Sequence, residues 1–148
     1  MLTENDIARI ARRIVDAFRP MAVGIFGSYA IGSAHEKSDL DLLIIREAVE
    51  TRASRARAVR RTLFGVLHPL DVQVFTPTEF EDAVYEEQSF TWIIVRQVRI
   101  YHWTDEAARA VPSLLPRVFV PGLLPTSLTE EKGDKVKILS YLHRQLRR

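Results

Sequence analysis

Residues 27 to 41 read GSYAIGSAHEKSDLD, and this stretch joins two short apolar runs. Met21–Phe26 (MAVGIF) precedes it, and Leu40–Ile45 (LDLLII) overlaps its end. The length and composition of both runs are typical of buried strands, and Gly27 interrupts the first one. We therefore predict a strand, a Gly-Ser turn, one short helical turn, a polar loop and a second strand.

Three carboxylates accompany these predicted strands. Asp39 and Asp41 are two positions apart, so strand geometry places them on one face. Asp71 opens a third alternating run, Leu70–Phe75 (LDVQVF), and can face the same side. Carboxylate oxygens are ligands that Mg²⁺ prefers, and two Mg²⁺ ions about 4 Å apart support in-line displacement at phosphorus. The spacing predicts that Asp39, Asp41 and Asp71 hold two Mg²⁺ ions.

The Gly-Ser turn is suited to a phosphate. Gly27 allows close backbone approach and dihedral angles that other residues avoid. The Ser28 hydroxyl and the amides that begin the following turn can donate to phosphate oxygens. We predict that Gly27 and Ser28 bind the phosphates of a nucleotide.

Helical periodicity and capping signals divide the rest of the chain. Predicted helices cover Thr3–Phe18, Thr51–Leu67, Pro77–Glu86, Ser89–Val98 and Asp105–Val111, with a strand at Arg99–Trp103. The apolar residues of the third and fourth of these helices are expected in the core; they are Phe80, Val84, Phe90, Ile93 and Ile94. Four prolines from Pro112 onward predict an extended arm, and Thr129–Arg148 predicts an amphipathic helix. The expected division is a domain at 1–104 and an extension at 105–148.

Composition restricts the classes of function. The chain has 148 residues and no cysteine, which excludes disulfides and thiolate metal ligands. No apolar run approaches the roughly 18 residues of a membrane span, so the expectation is a cytoplasmic protein without a membrane partner. Arginines cluster at 46–61 and 144–148, which leaves nucleic acid open as a partner. A solvated arginine face is the favoured interpretation, because charge runs usually mark such surfaces.

These motifs resemble those of a known family. GSYAIG, then SDLD with Ser38 before the first carboxylate, then a distal aspartate at the start of a strand, are similar to the minimal nucleotidyltransferases of the DNA polymerase beta superfamily. The similarity covers Met21 to Trp103. It implies an α/β (α+β) fold, with helices packed on a small mixed sheet.

The resemblance also implies roles and partners. It implies that Gly27, Ser28 and Ser38 bind ATP and that Asp39 and Asp41 bind both metals. Asp71 would bind the catalytic metal and act as, or orient, the base. Stand-alone members are often antitoxins that transfer AMP to tyrosine of a small helical toxin. Apart from the resemblance, the 105–148 extension leaves a homo-oligomer open.

The chain departs from the family pattern at Ile31, where members commonly have arginine. A charge-assisted phosphate contact contributes about 1.5 to 3 kcal/mol, so ATP binding is expected to be weaker. Lys37, or an arginine from the 52–61 helix, is a candidate substitute, and His35 is a candidate substrate contact. The alternative is a catalytically weak or inactive protein that neutralises its partner by binding, and a nucleic-acid accessory protein is a third hypothesis.

Overall fold

The computed structural model describes residues 1–118 and contains a four-stranded mixed sheet. Its strands are β1 (Ala22–Phe26), β2 (Leu40–Ile45), β3 (Leu70–Phe75) and β4 (Arg99–Trp103). The spatial order is β3-β2-β1-β4. β1 pairs antiparallel with β2 and β4, whereas β2 and β3 are parallel. The predicted α/β fold with a small mixed sheet is therefore confirmed.

Helices connect and cover these strands. They are α1 (Glu4–Phe18), α2 (Ser28–Ile31), α3 (Arg52–Thr62), α4 (Pro77–Val84), α5 (Phe90–Gln97), α6 (Asp105–Ala110) and α7 (Leu115–Val118). A capping box between Thr3 and Asp6 begins α1, as the sequence predicts. The sequence predicts a helix over Thr51–Leu67, but α3 ends at Thr62. Gly65 has a φ of +94° just beyond this end, a left-handed conformation incompatible with a continued helix.

Strand alternation divides the core into two layers. The side chains of Leu40, Leu42 and Ile44 lie in one cluster with residues of α1 and α3. Leu43 and Ile45 lie in the other cluster, which includes residues of α4 to α7. Asp41 has the same strand parity as this second pair, so the carboxylate belongs to the face that α4 to α7 cover.

Residues 105–118 complete the second layer. Ala107, Val111, Leu114 and Val118 are fully buried in it, together with Trp103. The prediction of an extended arm is wrong for residues 112–118, which form a short 3-10 helix (Pro112–Leu114) and α7. Pro112 is tolerated because it stands at the start of a helical segment, where a proline removes no helical hydrogen bond.

Two apolar residues of α5 are more exposed than the sequence predicts. Phe90 and Ile93 were expected in the core, but their exposed fractions are 45% and 40%. This expectation is wrong because α5 buries Thr91 and Ile94 instead.

The division at residue 104 stays a prediction, and the remaining arm and the Thr129–Arg148 helix lie outside the described residues. Within residues 1–118, no helix is long and apolar enough to cross a membrane.

Candidate active site

Two of the predicted carboxylates are neighbours on adjacent strands. Asp41 of β2 pairs in register with Asp71 of β3, so their Cα atoms are about 4.8 Å apart across the parallel ladder. Both side chains project from the same face and are partly exposed. Asp39 is exposed and lies one residue before β2.

The charges of Asp71 and Asp39 both act on the Asp41 carboxylate. Burial, and then the neighbouring charges of Asp71 and Asp39, raise the pKa of Asp41 to about 6. No residue between 1 and 118 donates a hydrogen bond to the Asp41 carboxylate. The site therefore concentrates negative charge that the described part of the protein does not neutralise.

The Gly-Ser turn lies directly against Asp41. Phe26, which ends β1, pairs with Asp41 across the antiparallel ladder, and Gly27 follows it. Gly27 has φ +69° and ψ −154°, in a region that is essentially restricted to glycine. A Cβ atom at this position would lie 2.0 Å from Asp41 Oδ2. The turn thus brings bare backbone against a carboxylate oxygen, which only glycine permits.

The amide of Gly27 has a partner that the sequence did not indicate. It donates to Gln97 Oε1 of α5 over 3.1 Å. This contact joins residues 70 positions apart, so no local pattern predicts it. In the described chain, the Ser28 hydroxyl makes no hydrogen bond and is available to a ligand. A phosphate bound at the Gly27 amide would have to displace the Gln97 side chain or share the amide with it.

Ser38 organises the loop before the first carboxylate. Its hydroxyl accepts a 2.9 Å hydrogen bond from the His35 amide, and its carbonyl lies 2.9 Å from His68 Nε2. His68 in turn lies 3.4 Å from the Tyr29 hydroxyl. Ser38 is buried in this network, and its role in nucleotide binding stays a prediction. His35 contributes backbone and ring contacts to the same loop.

Among the α3 arginines described here, Arg52 and Arg55 point to different surroundings. Arg55 is buried and forms a 2.6 Å ion pair with Glu79 of α4. Arg52 donates to Gln73 of β3, and Gln73 donates to Asp71 Oδ1 over 3.0 Å. Arg52 is thus connected to the third carboxylate, whereas Arg55 fixes α3 to α4. Ile31 is 58% exposed at the end of α2.

The carboxylates fit divalent cations in part. Carboxylate oxygen is the donor that such cations prefer. The charges of Asp71 and Asp39 repel that of Asp41, and a bound cation would relieve this repulsion. In the region covered by residues 1–118, however, no group of three or more His, Asp or Glu side chains forms a ready metal site. Mg²⁺ usually keeps several waters and takes further ligands from substrate phosphates, so a few carboxylates can be enough, and metal binding by Asp39, Asp41 and Asp71 stays a prediction.

Comparison with protein families identifies the domain. The nucleotidyltransferase domain profile matches residues 7–106, about two thirds of the chain. The chain belongs to the nucleotidyltransferase domain family. The matched region of this nucleotidyltransferase runs from α1 into α6 and includes every candidate site residue. No curated protein matches the sequence.

Solved structures with a similar chain include toxin–antitoxin complexes. A mutant MntA-HpeT complex has 15% identity and a TM-score of 0.49, with 97% of this chain and 99% of that chain covered. A toxin–antitoxin structure with AMP-PNP has 16% identity and a TM-score of 0.44, covering 96% and 99%. A tri-AMPylated Shewanella oneidensis HEPN toxin in complex with an MNT antitoxin has 14% identity and a TM-score of 0.37, covering 95% of each chain.

Proposed function

We propose that this nucleotidyltransferase transfers AMP from ATP to a partner protein and depends on Mg²⁺. The observation that carries the proposal is the alignment of Asp41 with Asp71 beside the bare backbone of Gly27. A phosphate-binding turn and two unneutralised carboxylates on one face are what nucleotidyl transfer requires.

The strand order supports an assignment of the two sides of the proposed reaction. In this scheme the triphosphate binds at Gly27 and Ser28, which follow β1, and Asp71 lies on the opposite side of Asp41, in β3. In-line attack places the entering and leaving oxygens on opposite sides of phosphorus. The acceptor hydroxyl therefore enters from the Asp71 side, and pyrophosphate departs on the Gly27 side.

Atoms and charges balance in this scheme. The acceptor oxygen forms a bond to the α-phosphorus, and the bond from that phosphorus to the pyrophosphate oxygen breaks. Asp71 accepts the hydroxyl proton or orients the base that accepts it. Asp39, Asp41 and Asp71 would hold Mg²⁺, which when bound stabilises charge on the phosphate oxygens.

Transfer from α-labelled ATP tests the proposal. We expect label to reach an acceptor in cell extract only when Mg²⁺ is present, and the Asp39→Ala, Asp41→Ala double variant should lose it. Asp16→Asn is the matched control, since Asp16 is exposed on α1, outside the site. Label transfer by the double variant at the wild-type rate would refute the metal assignment.

The acceptor we propose is a small helical toxin. The GSYAIG and SDLD motifs resemble those of stand-alone minimal nucleotidyltransferases, for which such toxins are partners, and toxins occur in the complexes named above. A gene for a small helical protein beside this one would supply the acceptor. Mass spectrometry of that protein after incubation should show added AMP on tyrosine.

A second candidate function is neutralisation by binding alone. It is favoured by Ile31, which leaves the turn without the usual arginine, and by the engagement of the Gly27 amide with Gln97. The full-length Asp39→Ala, Asp41→Ala variant distinguishes the two functions. If that variant still protects cells from the partner toxin, catalysis is dispensable. Truncation after Trp103 is unsuitable, because it removes the buried residues of 105–118.

A further inference from the structure

Asp71 is held by a chain of side chains that ends in a guanidinium. Gln73 lies two residues along β3 from Asp71, and so on the same face. Its Nε2 atom donates to Asp71 Oδ1 over 3.0 Å, and its Oε1 atom accepts from Arg52 Nη2 over 2.9 Å. Two consecutive hydrogen bonds therefore connect an α3 arginine to the acceptor-side carboxylate.

The chemistry of the two ends fixes the orientation of the Gln73 amide. A guanidinium only donates hydrogen bonds and an ionised carboxylate only accepts them. The amide oxygen must therefore face Arg52, and the amide nitrogen must face Asp71. If the amide flipped, both contacts would be lost.

Arg52 is itself fixed by the sheet. Its guanidinium carbon lies 4.2 Å from the centroid of the Phe75 ring, and Phe75 is buried at the end of β3. Stacking of this kind orients the planar guanidinium as well as attracting its charge. Arg52 is consequently held above β3 even though it lies at the exposed start of α3.

The arrangement leaves one oxygen of Asp71 available. Oδ1 is occupied by Gln73, and Oδ2 accepts no hydrogen bond from the described residues. Bonds to one carboxylate oxygen restrict the rotation of the group, in the way that hydrogen-bonded partners orient metal ligands. Arg57, also on α3, is exposed and forms no ion pair or side-chain hydrogen bond with the described chain.

We propose that Gln73, held by Arg52, is a positioning residue that presents Asp71 Oδ2 to the cation and the acceptor hydroxyl. The proposal rests on the proposed function for the identity of what Oδ2 meets. It also gives Arg52 a role other than replacing the phosphate contact that an arginine in place of Ile31 would make. Neither residue needs to touch the nucleotide.

Two measurements on the full-length protein test this proposal. The first is Mn²⁺ affinity in the presence of a non-hydrolysable ATP analogue, followed by electron paramagnetic resonance of free Mn²⁺. We expect Gln73→Leu and Arg52→Met to weaken Mn²⁺ binding by about 10- to 100-fold. Arg57→Met is the matched control and should leave the affinity unchanged.

The second measurement is the side-chain amide signal of Gln73 in a ¹⁵N-edited NMR spectrum. In the wild-type protein, we expect slow solvent exchange of this amide, and faster exchange in Arg52→Met, whose substitution is at an exposed residue. The positioning role of Gln73 would be overturned if both variants bound Mn²⁺ within twofold of wild type and the Gln73 amide exchanged equally fast in wild type and Arg52→Met. If the wild-type protein binds no Mn²⁺, the proposed function fails. The NMR result alone then decides whether Arg52 holds Gln73 in place.

Discussion

Substitution of Asp41 by asparagine is expected to stabilise the protein while removing its function. Burial and the charges of Asp71 and Asp39 raise the pKa of Asp41 to about 6 from the ordinary 3.8. The charged form is therefore disfavoured in the folded protein relative to the unfolded chain. Asparagine has nearly the same shape and no charge, so Asp41→Asn relieves the repulsion without leaving a cavity.

The size of the effect follows from the pKa. A shift of about two units corresponds to roughly 3 kcal/mol, and screening of this partly exposed group reduces the expected gain to about 1 to 2 kcal/mol. For a chain of this length the unfolding midpoint rises by about 3 to 8 °C. The measurement is thermal unfolding at pH 7.5 and low salt with EDTA present.

The dependence on pH separates charge relief from other causes. Because the folded-state pKa is the higher one, the destabilisation of the wild-type protein is complete above about pH 6 and absent below about 3.8. We therefore expect the advantage of Asp41→Asn to fall by about half at pH 5. Addition of Mg²⁺ and ATP should stabilise the wild-type protein only.

The control for this experiment is Asp16→Asn, which changes an exposed carboxylate outside the site. Its effect should stay within about 0.5 kcal/mol at every pH. The charge argument would be refuted if Asp41→Asn were no more stable than wild type at pH 7.5 in EDTA. A gain that did not change between pH 7.5 and 5 would refute it as well.

Three other substitutions give distinct outcomes. Ile31→Arg should lower the KM for ATP about tenfold or more, because it supplies a charge-assisted phosphate contact at an exposed position; steady-state kinetics against Ile31→Gln checks this. Gly27→Ala should abolish label transfer and lower stability by about 1 to 3 kcal/mol in thermal unfolding, since its Cβ meets Asp41 Oδ2. Arg55→Met should cost about 2 kcal/mol in urea unfolding by breaking a partly buried ion pair with Glu79, and wild-type stability in that variant would contradict the assigned role.

The strands that carry the candidate site were predictable because their signals are local. β2 and β3 begin and end at the predicted residues, and strand alternation correctly placed Asp41 and Asp71. Turn chemistry likewise indicated Gly27, although the 2.0 Å approach to Asp41 Oδ2 became visible only in three dimensions.

Other features depend on tertiary packing and had no local signal. Gln97 and the Gln73–Arg52 pair reach the site through side chains, and amide side chains carry no periodic pattern. Phe90 was assigned to the core on hydrophobicity alone, but an apolar residue is often left partly exposed. The helical course of 112–118 depends on contacts with the second core layer, which outweigh the proline signal.

The position of β1 in the sheet has a consequence for how the protein is made. β1 lies between β2 and β4, although β4 follows it by more than 70 residues in the chain. During synthesis, β1 and β2 are available long before β4 and residues 105–118. Until those residues are made, one edge of β1 and one face of the sheet remain uncovered. Pairing over such a separation slows folding and exposes strand edges to other chains. We expect the nascent domain to depend on chaperones until about residue 118 has left the ribosome.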